Sequence, residues 1–166
     1  MGMQRTEDTP PRPPAVSVPG RPCSAAAALQ LVGEKWSLLV VRELLFGVRR
    51  FDALARNTGA PRDRLTARLR SLEEAGIISR RAYQERPARY EYHLTEAGQD
   101  LAPVLFALFS WGDKWLFDEP PAVLDHRGPD GREHRMPLGH PPVCPTCEEP
   151  VSMQDVVPRR TGGDPG

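Results

Sequence analysis

The chain has 166 residues, of which 39% are hydrophobic and 19 are prolines, and its 22 basic residues balance its 22 acidic ones. This length suits one domain, and the low apolar content predicts flanking segments with little packing. No run reaches the roughly 18 apolar residues that span a bilayer, and no apolar signal region follows the N-terminus. Three cysteines do not make a disulfide framework, so we expect a reducing, cytoplasmic location.

The N-terminal part divides into a proline-rich arm and two helices. Residues 1–22 lack apolar periodicity, which together with their prolines predicts a disordered arm. Ser24 is a suitable N-cap for a short helix over residues 25–31, which Gly33 ends. The next helix, residues 38–46, is apolar on most of its surface. That composition is typical of a buried central helix.

A helix-turn-helix pattern occupies residues 51–75. Its first helix starts at Phe51, and its turn covers residues 57–60. Its second helix, residues 61–75, opens on Pro61, which suits a first helical position because the missing N–H would have no partner there. Leucines recur in this helix at i, i+4 and i+7 and form one apolar stripe: Leu65, Leu69 and Leu72. The opposite face is polar and rich in arginine.

A β-hairpin is predicted after this helix. Gly76 suits the left-handed cap position at the helix end. Residues 77–83 read as one strand, residues 84–89 as a basic loop, and residues 90–94 alternate with period two as the returning strand. A helix with outward arginines, followed by a hairpin with a basic tip, is the arrangement of a winged helix-turn-helix DNA reader.

Positive charge is concentrated on this part of the chain. Residues 49–89 hold eleven arginines and five acidic residues, a net charge of +6, whereas the whole chain is balanced. Arginine suits phosphates and guanine edges because its planar fork donates two parallel hydrogen bonds. The alternative is an ordinary solvated face, but such faces usually mix signs. The pattern therefore favours nucleic-acid binding.

A long helix is predicted over residues 95–117. Thr95 is a suitable N-cap, and Pro103 should bend the helix near Gln99. The helix carries a wide apolar stripe formed by Leu101, Val104, Leu105, Leu108, Trp111 and Trp115. We expect a homodimer interface that includes the first helix; the alternative is packing onto the same subunit. Two-fold symmetry would place the two recognition helices roughly 34 Å apart, one turn of DNA.

Several motifs occur in order between residues 23 and 117. They are Cys23, Gly33-Glu34-Lys35-Trp36, Arg42-Glu43-Leu44-Leu45-Phe46-Gly47, Leu65 to Glu73, Gly76-Ile77-Ile78, Tyr90 to Gly98, Pro103 and Trp111-Gly112. Together they resemble the HxlR-type winged-helix transcriptional regulators, relatives of the MarR group. The resemblance implies a mainly α fold with a small β-hairpin wing (α+β), a winged helix-turn-helix that dimerises through its first and last helices. It also implies a homodimer on operator DNA, with the helix 61–75 in the major groove and the wing 84–89 at the minor groove.

Ten residues are candidate DNA contacts. Those on the outward face of the recognition helix are candidate base readers: Arg64, Thr66 and Ala67. A guanidinium can form two hydrogen bonds with guanine, and methyl groups can contact thymine. The candidate phosphate contacts are Arg49, Arg50, Arg62, Arg68 and Arg70. The wing arginines expected in the minor groove are Arg86 and Arg89.

Cys23 is a candidate redox site. In some members of the family that this chain resembles, the cysteine before the first helix senses oxidants or electrophiles. A position just before a helix N-terminus favours the reactive thiolate. The alternative is a packed or idle thiol, because no second cysteine lies inside the winged-helix segment 23–117.

The tail, residues 118–166, contains a candidate zinc site. Cys144 and Cys147 form a C-x-x-C pair preceded by histidines, and we expect His134 and His140 to complete four tetrahedral ligands. The alternatives are a degenerate ribbon or a redox dithiol. Residues 155–166 are predicted to be disordered.

No sequence motif indicates an enzyme. Phosphate loops, nucleophile elbows and dinucleotide fingerprints do not occur. We therefore expect a sequence-specific DNA-binding transcriptional regulator, a repressor, modulated by a small-molecule effector or by thiol redox state. The alternative is a winged-helix module that binds proteins and no operator; steep weakening of DNA binding with salt separates the two.

Overall fold

The fold is a helical winged-helix unit followed by a small sheet. A computed structural model describes residues 13–18, 24–86, 88–136, 144, 146–151 and 156–160. Its helices are α1 (Ser24–Val32), α2 (Ser37–Leu45), α3 (Phe51–Thr58), α4 (Arg62–Glu74), α5 (Glu96–Gln99) and α6 (Ala102–Leu116). Its strands are β1 (Ile78–Glu85), β2 (Ala88–Leu94), β3 (Ala122–Arg127), β4 (Glu133–Met136) and β5 (Val156–Arg160). Within the described ranges, no helix is long and apolar enough to cross a membrane.

The main core lies between α2 and α4. The predicted stripe Leu65, Leu69 and Leu72 is buried, with relative exposures of 0%, 2% and 0%. It shares one cluster with the buried α2 residues Val40, Val41 and Leu44. Burying side chains of this size stabilises the fold by about 1.5–3 kcal/mol each. The helix over residues 38–46, which corresponds to α2, was predicted to be central and buried, and this is confirmed.

The turn and the wing differ in detail from the prediction. α3 continues through Thr58, whose hydroxyl donates 2.7 Å to the Leu54 carbonyl, and ends at Gly59 with φ of 67°. Pro61 precedes α4 as its N-cap instead of occupying its first turn. β1 and β2 continue through most of the predicted loop 84–89, because backbone pairing extends to Glu85 and Ala88 past a bulge. The predicted loop is therefore reduced to a short tip.

The segment predicted as one bent helix, residues 95–117, is two helices. The Thr95 hydroxyl accepts a hydrogen bond from the Gly98 N–H, so the predicted cap is confirmed. α5 then ends, and Pro103 lies in the first turn of α6. A proline there removes no helical hydrogen bond, whereas inside a continuous helix it would. The chain breaks before the proline instead of bending through it.

The tail forms structure that the sequence did not predict. Strands β4, β3 and β5 make an antiparallel sheet in that spatial order. β5 covers residues 156–160, part of the range predicted to be disordered. It pairs with β3 along its length through the backbone, so it needs little apolar periodicity of its own. Residues 1–12, 19–22, 155 and 161–166, the rest of the predicted disordered ends, lie outside the described residues, and residues 13–18 have no regular secondary structure.

Gly98 in α5 packs closely against Ile77 and Leu94 at the base of the hairpin. A Cβ added at Gly98 would overlap the Ile77 carbonyl and would lie 2.8 Å from Cδ2 of Leu94. We predict that Gly98→Ala lowers the free energy of unfolding by about 1–3 kcal/mol, because the backbone must shift. Urea unfolding measures this. Gln99→Ala, an exposed change in the same helix, should stay within about 0.5 kcal/mol, and equal stabilities for the two variants would contradict the prediction.

Candidate nucleic-acid interface

The face of α4 opposite its leucines is open to solvent. Arg64, Thr66 and Ala67 are all exposed on this face, as the sequence predicts. The Arg64 side chain is 74% exposed and lies 3.8 Å from the Asp63 carboxylate, a contact too solvated to hold it. The Thr66 hydroxyl donates 2.8 Å to the Arg62 carbonyl. This face presents one cation and two small side chains, a surface that can approach base edges closely.

A concave surface separates α3 and the start of α4 from the hairpin. The concavity has a volume of about 600 Å³. Four arginines line it, and we call it the arginine groove: Arg50, Arg56, Arg62 and Arg89. Two of them are positioned by aromatic rings, since the guanidinium of Arg62 lies 4.8 Å from the Phe51 ring and that of Arg50 lies 5.0 Å from the Tyr83 ring. Arg56 is not among the residues singled out from the sequence, although it belongs to the same arginine-rich segment.

Several of these cations have acidic neighbours at the surface. Arg62 lies 2.8 Å from Asp52, and Arg70 lies 2.8 Å from Glu74. The bond with Glu74 raises the already high pKa of the Arg70 guanidinium. Exposed pairs of this kind contribute about 0–1 kcal/mol, so an incoming phosphate can displace the carboxylate. Both arginines remain available to an anionic partner.

Two predicted phosphate contacts have internal partners instead. Arg49 donates 2.6 Å to the Leu44 carbonyl at the end of α2, where a cation also favours the helix dipole. The Arg68 side chain is only 23% exposed and lies 3.6 Å from Glu34. The sequence shows that both arginines belong to the basic segment, but it does not show the direction of their side chains. Arg49 and Arg68 are thus less open to an anionic partner than Arg62 and Arg70, and their phosphate contacts stay predictions.

The hairpin tip carries the two predicted wing arginines. Arg86 and Arg89 are exposed, and neither forms an ion pair among the residues that the structure describes. Further down the hairpin, burial, Arg49 and Arg81 together lower the pKa of His93, which Glu91 only partly offsets. His93 is therefore neutral at pH 7, and the positive charge of the wing comes from arginine alone.

An apolar surface lies on the outside of α1 and α6. The exposed large side chains, which we call the α1–α6 apolar surface, are Leu29, Val104, Leu108, Trp111, Trp115, Leu116 and Phe117. Trp111 and Trp115 are 57% and 63% exposed. Leu105 and Phe106 of the same helix are buried at 3% and 2%. Part of the predicted stripe thus packs within the subunit, and the rest is left exposed by this chain.

The predicted metal ligands are only partly those that the structure brings together. Cys144 and Cys147 lie close together at one end of the tail sheet, and Nδ1 of His134 lies 3.7 Å from Sγ of Cys144. The fourth member is His126, which was not predicted as a ligand, because sequence spacing cannot show that β3 and β4 pair it with His134. His140 lies outside the described residues, as does the predicted redox residue Cys23.

Comparisons with known proteins agree with the fold and surface, which are those of a winged helix-turn-helix regulator. The model of the HxlR-like helix-turn-helix family matches residues 31–120, and the chain belongs to this family. The predicted family and fold class are therefore confirmed. The named relatives are uncharacterized HTH-type transcriptional regulators.

Two relatives and two solved structures show the extent of the similarity. Rv3095, an uncharacterized HTH-type transcriptional regulator of Mycobacterium tuberculosis, is 45% identical over 137 residues, or 81% of this chain and 84% of the relative. The Synechocystis regulator sll1512 is 44% identical over 60% of this chain and 75% of its own. PA1607, a candidate transcription factor, has a TM-score of 0.54 at 30% identity, with 79% of this chain and 80% of that chain covered. The redox regulator HypR in its oxidised form has a TM-score of 0.51 at 33% identity, with 55% and 96% covered.

The role of Arg49 can be separated from that of the open α4 face. We predict that Arg49→Met lowers the free energy of unfolding by about 1–2 kcal/mol, because the α2 carbonyl loses a charged donor. Arg64→Met, the same replacement at an exposed position, should change it by less than about 0.5 kcal/mol. Thermal or urea unfolding measures both. A destabilisation by Arg64→Met as large as that by Arg49→Met would contradict the assignment.

Proposed function

We propose that this transcriptional regulator binds operator DNA as a homodimer, with α4 in the major groove and the β1–β2 wing at the minor groove. Arg64, Thr66 and Ala67 would contact base edges, since they are exposed on the outer face of α4 close to its N-terminus. Arg86 and Arg89 would enter the minor groove, where closely spaced phosphates concentrate negative potential. Binding to chromosomal DNA would place the protein in the cytoplasm.

The arginine groove is the observation that carries this proposal. A helix in the major groove and a wing in the next minor groove must straddle a sugar–phosphate strand. The groove separates the same two elements, and its lining includes Arg50, Arg56, Arg62 and Arg89. Contacts of this kind set the register of a protein on the duplex, and the residues on α4 then read sequence. A protein-binding module would not need cations at that place.

The α1–α6 apolar surface supports the homodimer. It joins exposed side chains from two helices, with Leu29 at 60% and Trp111 at 57% exposure. Aromatic and aliphatic patches of this kind mark interaction surfaces, and a two-fold axis would make the patch its own partner. Two copies would then present two α4 helices to successive major grooves.

The regulatory consequence follows from occupancy of the operator. A dimer that covers two half-sites excludes other proteins from them, so we expect a repressor. HypR, one of the structural neighbours, is a redox regulator. Thiol control at Cys23 and a small-molecule effector stay predictions for this chain. Peroxide treatment that abolishes DNA binding of the unmodified chain but not of Cys23→Ser would support the first.

The base-reading role of α4 leads to a specific prediction. Duplex fragments selected from a random pool by the purified protein supply the operator. On that operator, Arg64→Ala should weaken binding by about 1–3 kcal/mol and relax the preference at one base pair, because a bidentate contact is lost. Fluorescence anisotropy against operator and random duplex measures both effects.

The control is Arg127→Ala, which removes an exposed arginine from the tail sheet, outside the arginine groove. It should leave the affinity unchanged. Arg89→Ala should weaken binding to operator and random duplex alike and reduce the slope of log affinity against log salt by about 1. Equal losses on both duplexes for Arg64→Ala would remove it from base reading.

Dimerisation through α6 can be tested by charge. We predict that Leu108→Glu gives a monomer that has lost high-affinity operator binding, because a buried carboxylate in an apolar interface has no partner. Analytical ultracentrifugation measures the mass. Lys114→Gln makes the same change in net charge on an exposed position of the same helix, and it should remain dimeric. A Leu108→Glu dimer that still binds operator tightly would place the interface elsewhere.

A further inference from the structure

Two histidines on the strands β3 and β4 lie close to two cysteines of the turn between β4 and β5. His126 and His134 are directly opposite each other in the β3–β4 register, with ring centroids 6.4 Å apart. Cys144 Sγ lies 3.7 Å from Nδ1 of His134. Ligand atoms of His126, Cys144 and Cys147 all lie within 4.8 Å of one another. Three donor side chains thus form one close group, and His134 lies beside it through its contact with Cys144.

His126 is a buried histidine whose ring nitrogens need a polar partner. Its side chain is 4% exposed, and neither ring nitrogen has a hydrogen-bond partner among the described residues. An unpaired buried polar group costs about 1–3 kcal/mol. A bound cation at the centre of the cluster would accept a ring-nitrogen lone pair and remove that penalty.

The cysteine segment is folded as a metal-binding turn. The Glu148 N–H donates 2.8 Å to the Cys144 carbonyl, and the Cys144 N–H donates 3.0 Å to the Glu149 carbonyl. Glu148 has φ of 56°, a left-handed conformation that is uncommon for a residue with a side chain. The turn directs both sulfur atoms to the same side.

The Asp130 carboxylate lies beside the second ring nitrogen of His134. Its Nε2 lies 3.6 Å from Oδ1 of Asp130, while its Nδ1 faces Cys144. Asp130 in turn accepts a hydrogen bond from the Arg132 N–H in the β3–β4 turn. Metal-binding histidines usually offer one nitrogen to the ion and the other to a carboxylate or carbonyl. At 3.6 Å the contact is longer than a hydrogen bond, but it places the carboxylate beside Nε2 and leaves Nδ1 as the nitrogen that faces Cys144.

We propose that His126, His134, Cys144 and Cys147 bind one Zn²⁺ ion in a tetrahedral site that fastens the tail to the winged-helix unit. Zinc–sulfur and zinc–nitrogen bonds of about 2.3 and 2.0 Å place neighbouring ligand atoms about 3.4–3.8 Å apart. The 3.7 Å separation of His134 and Cys144 fits, and the group of His126, Cys144 and Cys147 requires movements of up to about 1 Å. His134 must also move closer to His126 and Cys147 than it lies here. Two thiolates and two imidazoles favour zinc over magnesium or calcium, which prefer oxygen.

The site is placed to join two parts of the fold. Cys144, Leu124 and Val151 share a buried cluster with Phe106 of α6, and Leu45 and Phe46 at the end of α2 pack against it. Four protein ligands leave no open position, which is typical of a structural ion. Zinc would thus hold the tail sheet on α6, the helix that also carries the α1–α6 apolar surface.

Metal content of the full chain, purified without a histidine tag, tests the proposal. We expect one zinc per chain by mass spectrometry of the metal. After chelation under reducing conditions, added Co²⁺ should give the visible bands of a tetrahedral ion and thiolate-to-cobalt charge transfer, both abolished by Zn²⁺. Cys144→Ser should halve the charge-transfer intensity, because one of two thiolates is lost.

Variants assign the histidines. His126→Ala and His134→Ala should lose stoichiometric zinc, whereas His140→Ala and His93→Ala should keep it. Asp130→Asn should keep all four ligands but weaken zinc affinity by about 10- to 100-fold. Because loss of a ligand can also loosen the sheet, the cobalt spectrum of the unmodified chain decides whether a site exists.

Two results would overturn the proposal. One is failure of the reduced chain to take up zinc and to give a tetrahedral cobalt spectrum. A chain isolated anaerobically with a Cys144–Cys147 disulfide would be a failure of the same kind. The other is zinc lost from His140→Ala and retained by His126→Ala, which would restore the ligand set predicted from the sequence.

Discussion

The packing of one leucine stripe against α2 determines the geometry of this regulator. Leu65, Leu69 and Leu72 can be buried together only if α4 lies with that side on Val40 and Leu44. A helix is rigid at this length, so burial of one face fixes the direction of the other. Arg64, Thr66 and Ala67 face solvent because the leucines on the opposite side of α4 are buried. The hydrophobic effect thus orients the polar surface that the proposed DNA contact uses.

α6 connects the three parts of the molecule. Leu105 packs into the main core, Phe106 packs against the tail sheet, and Leu108 and Trp111 remain exposed. One helix can do this because its side chains leave the axis in different directions about every 100°. A change in how the tail sits on α6 would therefore be felt at the exposed apolar side. The proposed zinc site lies at that junction, which links the stability of the tail to that of the proposed dimer.

Local patterns predicted the elements, and contacts between distant residues decided what the patterns missed. The leucine stripe, the caps at Thr95 and Gly76 and the exposed α4 face follow from neighbouring residues, and they were predictable. The internal pairing of Arg68 with Glu34 depends on how α4 sits relative to the start of α2, which no spacing shows. Exposed arginines and internally bonded arginines look the same in a sequence.

The tail shows the same limit more strongly. The strands there are short, and β3 gains its two partners through backbone pairing, so composition alone indicated none of them, and residues 155–166 were predicted to be disordered. Until the pairing of β3 with β4 is known, nothing in the sequence favours His126 over His140 as a metal ligand. The C-x-x-C pair was recognisable because its two ligands are neighbours in sequence. Ligands from different strands become visible only when the sheet is known.

The central claim is that two copies of this chain present their α4 helices to one duplex. Sedimentation of the full chain with a selected duplex, repeated over a range of salt concentrations, measures mass and affinity together. The account predicts two chains per duplex and an affinity that falls steeply as salt rises, because several phosphates are neutralised. A single chain that ignores duplex DNA even at low ionic strength would contradict it.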